Sequence, residues 1–136
     1  MPEVLAWLIS LTLGGLIVFV LFYRLNKEAE RNAAILLDKI NTLIEIAPTD
    51  PTTHNRILET FSQIEPRLQK VHSERLYRGV LSILEKAPDN INLRVFALET
   101  GRLHHGLQRG SAITIFDEQA IQNDILARSG KTTLDA

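Results

Sequence analysis

Two histidines stand side by side at His104 and His105, inside the stretch GRLHHGLQRGS. Imidazoles hold metal ions and pass protons, so a reaction would be sought here first. Neighbouring positions on a helix point about 100° apart, however, and do not converge on one ion. His54 and His72 lie elsewhere, no H-x-x-x-H pair occurs, and the chain has no cysteine. Without ligand spacing or thiolates, the histidines read as exposed surface groups. Gly101, Gly106 and Gly110 share the same stretch. No Gly-Lys-Ser/Thr ending follows and no strand precedes them, so they read as helix breakers and loop residues, not as a phosphate cradle. Ser111 has no nucleophile-elbow context. Asp117-Glu118 sits where a helix starts, and negative charge there suits the helix dipole. Glu59 and Glu99 fall on helix surfaces. No residue is expected to be catalytic, to bind a cofactor or to hold a metal. Neither an enzymatic activity nor a small-molecule substrate is expected.

Charge points instead to surfaces. Arg67, Lys70, Arg75 and Arg78 gather over a short stretch, interrupted by Glu74, and Arg102 and Arg109 follow. This pattern reads first as a solvated helix face of mixed charge. Its functional reading is a basic surface for anionic lipid headgroups or an acidic partner protein. The whole chain carries a formal charge of −1 over 136 residues, which argues against a dedicated nucleic-acid binder.

What must position these residues begins with an apolar run. Val4–Tyr23 reads VLAWLISLTLGGLIVFVLFY, with no charge between Glu3 and Arg24. As a helix, about 20 residues rise roughly 30 Å, the thickness of a bilayer's hydrocarbon core. An isolated span in lipid must be helical, because its backbone has no other hydrogen-bonding partners. Trp7 and Tyr23 lie near the two ends, where amphipathic rings favour the interface. A cleaved signal peptide fits less well. No Lys or Arg precedes the run, it is long for such a peptide, and no A-x-A site follows it closely.

Arg24, Lys27 and Arg31 follow the run. The positive-inside rule therefore places the N-terminus outside and the rest of the chain in the cytoplasm, or in the stroma of a plastid or thylakoid. Ala6, Ser10 and Gly14 recur every fourth residue. They would line one face of the span with small side chains, a seam for another helix.

Beyond the span the pattern is amphipathic. Ala33, Leu36, Leu37, Ile40, Leu43, Ile44 and Ala47 make one apolar stripe, ended by Pro48. No turn signal separates Arg24 from Ala33, so the anchor helix is free to run on into this one. Asp50 and Pro51 then start a helix with Ile57, Phe61 and Ile64 inward, ending near Pro66. A third, from about Leu68, carries Val71, His72, Leu76, Val80, Ile83, Leu84 and Ala87 to Pro88. A fourth, capped by Asp89-Asn90, presents Ile91, Val95, Leu98 and Leu103 until Gly106. A last helix over 115–129 pairs Thr114 with Asp117 at its start and turns Phe116, Ala120, Ile121 and Ile125 inward. Residues 130–136 read as a disordered tail.

Part of this is said twice. Shifted by 40 positions, Leu36 meets Leu76, Glu45 meets Glu85, Ala47-Pro48 meets Ala87-Pro88, and Leu58-Glu59-Thr60 meets Leu98-Glu99-Thr100. Apolar face, proline and cap recur in one register, as in a duplicated helix hairpin. The second copy, APDNINLRVFALETGRL, resembles a HEAT/armadillo unit. Asp89 lies in the turn, Leu93-Arg94 stands at that family's Val-Arg pair, and Ala97, Gly101 and Leu103 follow. The first copy departs from it, with His54 at the place of Arg94 and Phe61 at that of Gly101. The resemblance covers about residues 36–107 and implies a curved stack of helix pairs that holds other proteins. FDEQAIQNDILAR, within 113–129, is similar to small single-pass membrane proteins of cyanobacteria. That likeness implies a thylakoid or plasma-membrane setting near photosynthetic or respiratory complexes.

The sequence therefore predicts an all-α protein: an anchor over 1–25, then a helical domain over 26–128. The domain would be a short HEAT-like solenoid, with repeats at 28–66 and 67–107, or a closed bundle of four or five helices. Its expected role is a membrane-held adaptor or assembly factor for other proteins, or else a permanent accessory subunit of a membrane complex. The expected partners are lipid and protein, with no nucleic acid.

Overall fold

The computed structural model describes residues 2–128, and these are helical with short connections; the tail predicted at 130–136 lies outside them. Five helices follow one another: α1 (Pro2–Ile46), α2 (Pro51–Ser62), α3 (Pro66–Lys86), α4 (Ile91–Arg109) and α5 (Ile115–Arg128). The predicted anchor and the first domain helix are one element. With 45 residues, α1 extends about 68 Å. It is the one described helix long and apolar enough to cross a membrane, and its apolar window is wholly exposed. The predicted boundary near residue 25 falls inside it.

The turns explain where the other helices begin and end. Ala47 and Ala87 precede prolines, whose rings push them out of helical geometry. Asp50 then accepts a hydrogen bond from the Thr52 N–H at 3.0 Å, and Asn90 from the Leu93 N–H at 3.0 Å. The second helix, expected to stop near Pro66, ends earlier at Ser62, and Pro66 instead opens α3 at its first turn. Gly110 ends α4 in the left-handed region at φ 70°, its N–H donating to the Gly106 carbonyl. Gly101 and Gly106 do not break the helix, contrary to the sequence expectation. Both lie inside α4.

Packing joins neighbours in chain order. The second half of α1 lies on α2, α3 lies on α4, α2 touches both α3 and α4, and α5 lies on both α3 and α4. The core holds Ala33, Ile40, Ile57, Phe61, Ile64, Leu76, Val80, Leu84, Leu93, Phe96 and Ile121. The predicted faces of α1 and α2 are met. Those of the later helices need correction. Val71 is 67% exposed and Ile91 74%, while Val95 is also exposed. The buried face of α4 is instead Leu93, Phe96, Ala97, Thr100 and Gly101. On α5, Phe116 and Ala120 are exposed, and Ile121 and Ile125 face in.

Candidate interaction surfaces

Tight packing and polar pairing account for the residues that looked chemically promising. A Cβ on Gly101 would sit 2.8 Å from Ile121 Cγ2 and 3.0 Å from Tyr77 Cε1. The missing side chain is what lets α5 approach α4. Once α5 is there, its polar groups reach back. Tyr77 Oη donates to Asp124 at 2.9 Å, and burial, then Asp124, pushes the phenol well above its ordinary value.

The histidines are not exposed, which corrects the sequence reading. His104 Nδ1 lies 2.8 Å from Ser73 Oγ, bridging α4 and α3. Burial, then the neighbouring His105, lowers its pKa below the usual imidazole value. His105 Nδ1 lies 3.2 Å from Asp117 Oδ1. His54 is buried, stacked on Phe96 with centroids 4.1 Å apart. Among the described residues no group of three potential ligands could hold a metal.

Asp117 gathers the strongest cluster. The Arg109 guanidinium donates to both its oxygens, and the Thr114 N–H donates to Oδ2 at 2.8 Å. The Asp117 N–H donates in return to Thr114 Oγ1 at 3.3 Å, completing the capping pair expected from sequence. Arg109 first, then the Thr114 backbone, hold this carboxyl below the usual carboxylate range. Two turns earlier on α4, Arg102 Nε donates to Glu118 at 2.6 Å. These bonds tie α5 to α4.

The predicted basic surface is thereby divided. Arg102 and Arg109 pair with α5, and Arg78 pairs with Glu74 at 2.8 Å. Arg67 meets Glu65 and donates to Asn26 Oδ1 at 2.6 Å. Lys70 is exposed near it. Arg75 lines a groove between α1 and α3, of about 190 Å³, with Leu37, Ile40, Ile44 and Gly79. Sequence spacing did not show this groove, because it arises where two helices distant in the chain splay apart.

The apolar half of α1 offers the other surface. Ala6, Ser10 and Gly14 share an open hollow with Trp7, Leu11 and Gly15 on α1. No atom beyond the local helix lies within 4 Å of where a Gly14 Cβ would stand. Comparison with protein-family models, with curated proteins and with solved structures gives no match.

Proposed function

We propose that the protein is a single-pass membrane scaffold whose HEAT-like helical domain holds other proteins at the cytoplasmic or stromal face. One observation carries this reading. The exposed apolar half of α1 continues without a break into the half that packs in the domain core. A rigid anchor of that kind fixes the distance and tilt of the domain relative to the bilayer, which suits an adaptor that presents a client to a membrane complex. Orientation follows from Arg24, Lys27 and Arg31 beyond the span. The chain-order packing of helix pairs supports an open stack over a closed bundle, and the α1–α3 groove is a place for a client segment.

A second reading rests on the hollow at Ala6, Ser10 and Gly14, which suits a neighbouring span and so a permanent subunit. Purification of the tagged full chain in mild detergent, after crosslinking in its own membranes, separates the two. An adaptor yields a substoichiometric protein lost on Arg75→Glu, whereas a subunit yields a fixed-ratio complex lost on Gly14→Leu. Recovery of the chain alone overturns both.

A further inference from the structure

Hydrogen bonds between the helices fix which end of the domain faces the anchor. Arg67, in the first turn of α3, donates to Asn26 Oδ1 at 2.6 Å. Asn26 is three residues past Tyr23, or about 4.5 Å along the helix. The groove shared by Leu37–Ile44 of α1 and His72–Gly79 of α3 lies beyond the Arg67–Asn26 bond on both helices, so α3 runs away from the span as α1 does. The far end of α4 returns to this level, because Gln108 Nε2 donates to the Lys70 carbonyl at 2.8 Å. α5 then runs parallel to α3, with Tyr77 bonded to Asp124 and Glu85 to Arg128. Its first turn therefore lies at the level of Lys70, one helical turn beyond Asn26.

That first turn carries two large apolar side chains in the open. Ile115 is 83% exposed and Phe116 80%. Helical Cα–Cβ bonds tilt toward the N-terminus, so both lean toward the anchor end. Immediately around this turn the charges are matched, Arg109 with Asp117 and Arg102 with Glu118, while Arg24, Lys27 and Arg31 lie on α1 itself. A matched rim around an exposed Ile-Phe pair suits a neutral interface better than an anionic one.

We infer that Ile115 and Phe116 seat the helical domain on the bilayer that the anchor crosses, entering the headgroup layer of zwitterionic lipid. The turn lies roughly 10 Å beyond Tyr23 and the headgroup region covers roughly 5–8 Å of that, so the two side chains, which lean toward the anchor end, cross the remainder. The domain thus has two attachments to the membrane, one through α1 and one through the start of α5. This inference rests on the reading of Val4–Tyr23 as a span.

The test uses the full chain in phosphatidylcholine vesicles whose acyl chains are brominated close to the headgroup. The protein has one tryptophan, Trp7. In a Trp7→Phe background, tryptophan is placed by Phe116→Trp, or by Ile91→Trp at the far end of the domain. Ile91 is 74% exposed, so both probes sit outside the core. The seated domain gives at least about twofold quenching of the probe at 116, with blue-shifted emission, and unquenched, water-like emission at 91. Water-like, unquenched emission at 116 overturns the inference, as does equal quenching at both positions. The unaltered chain separates the two levels of failure. Quenched Trp7 with an unquenched probe at 116 sinks the seat alone, while unquenched Trp7 sinks the span and the seat with it.

Discussion

His54 and Arg94 do the same work forty positions apart. His54 Nε2 lies 2.6 Å from the carbonyl oxygen of Pro48, and Arg94 Nε donates to that of Pro88 at 2.9 Å. A carbonyl only accepts, so the imidazole must carry its proton on Nε2. Each side chain reaches back from the first turn of a helix to tie down the turn that precedes it. The surrounding bonds match as well. The N–H of Asp50 meets the Ala47 carbonyl as that of Asn90 meets Ala87, and His54 N–H meets Asp50 as Arg94 N–H meets Asn90. In the sequence, His54 looked like the point where the first copy departs from the second. In the fold it is a different donor for the same acceptor.

The two donors differ in what surrounds them, and this yields an ordering. His54 is buried and stacked on Phe96, whereas the Arg94 side chain is 30% exposed and also meets Asp89. His54→Ala leaves the Pro48 carbonyl without its donor and removes the ring contact, for a loss of about 3 kcal/mol. Arg94→Ala lets water reach the Pro88 carbonyl and costs about 1 kcal/mol. Denaturant unfolding of the full chain in detergent, followed by circular dichroism, measures both. Equal losses would contradict the account of the turns.

Two helix glycines should respond in opposite directions. Alanine is favoured over glycine in a helix interior by about 1 kcal/mol. At Gly79 a Cβ meets nothing within 4 Å, so Gly79→Ala gains up to that amount. At Gly101 the same methyl collides with Ile121 and Tyr77, and overpacking costs about 1–3 kcal/mol, enough to reverse the gain. Gly101→Ala should lower the melting temperature, and Ile121→Ala in the same chain should cost less than in the parent. Strict additivity of the two changes would remove the contact from consideration.

The helices that were legible in sequence are those whose apolar residues also fill the core. Ile57 and Phe61 follow helical spacing behind a clear cap and are buried, as is Ile64 in the turn just past α2. On α4 the rule fails, because its inner face includes Thr100 and Gly101 while Ile91 and Val95 face out. Thr100 is tolerated there because its hydroxyl donates to the Phe96 carbonyl at 2.9 Å. Phe116 was misplaced for a related reason. Asp117 is drawn inward by Arg109 and the Thr114 cap, and that turns its neighbour outward. The polar bridges from Ser73 to His104 and from Tyr77 to Asp124 span 31 and 47 residues. No local pattern encodes them, since they depend on how α4 and α5 come to rest against α3.

Acid should loosen the α4–α5 junction through Asp117. Its carboxyl is held below the usual range in the folded chain, chiefly by Arg109. Its contribution to stability is therefore present above the ordinary carboxylate value near about pH 4 and is lost as the pH falls toward the depressed one. Asp117→Asn should lower the melting temperature at neutral pH and flatten its decline between about pH 5 and pH 2. A decline as steep as the parent's would assign the acid sensitivity to other carboxylates.

Base should act two turns further along α5, through Tyr77. Burial first, and the hydrogen bond to Asp124 second, disfavour its phenolate and raise its pKa. A group raised on folding contributes stability that is complete below its unfolded value, near about pH 10, and is lost as the pH rises toward the raised one. The chain has two tyrosines, so Tyr23→Phe leaves Tyr77 as the only phenol to absorb. Its phenolate band should be absent while the helices stay folded above about pH 10 and should appear together with loss of helicity. Tyr77→Phe removes one buried hydrogen bond, costs about 1 kcal/mol, and should abolish this alkaline step. A band that rises near the ordinary value with the helices intact would show that Tyr77 Oη is open to water, and α5 would then have lost one of the bonds that hold it against α3.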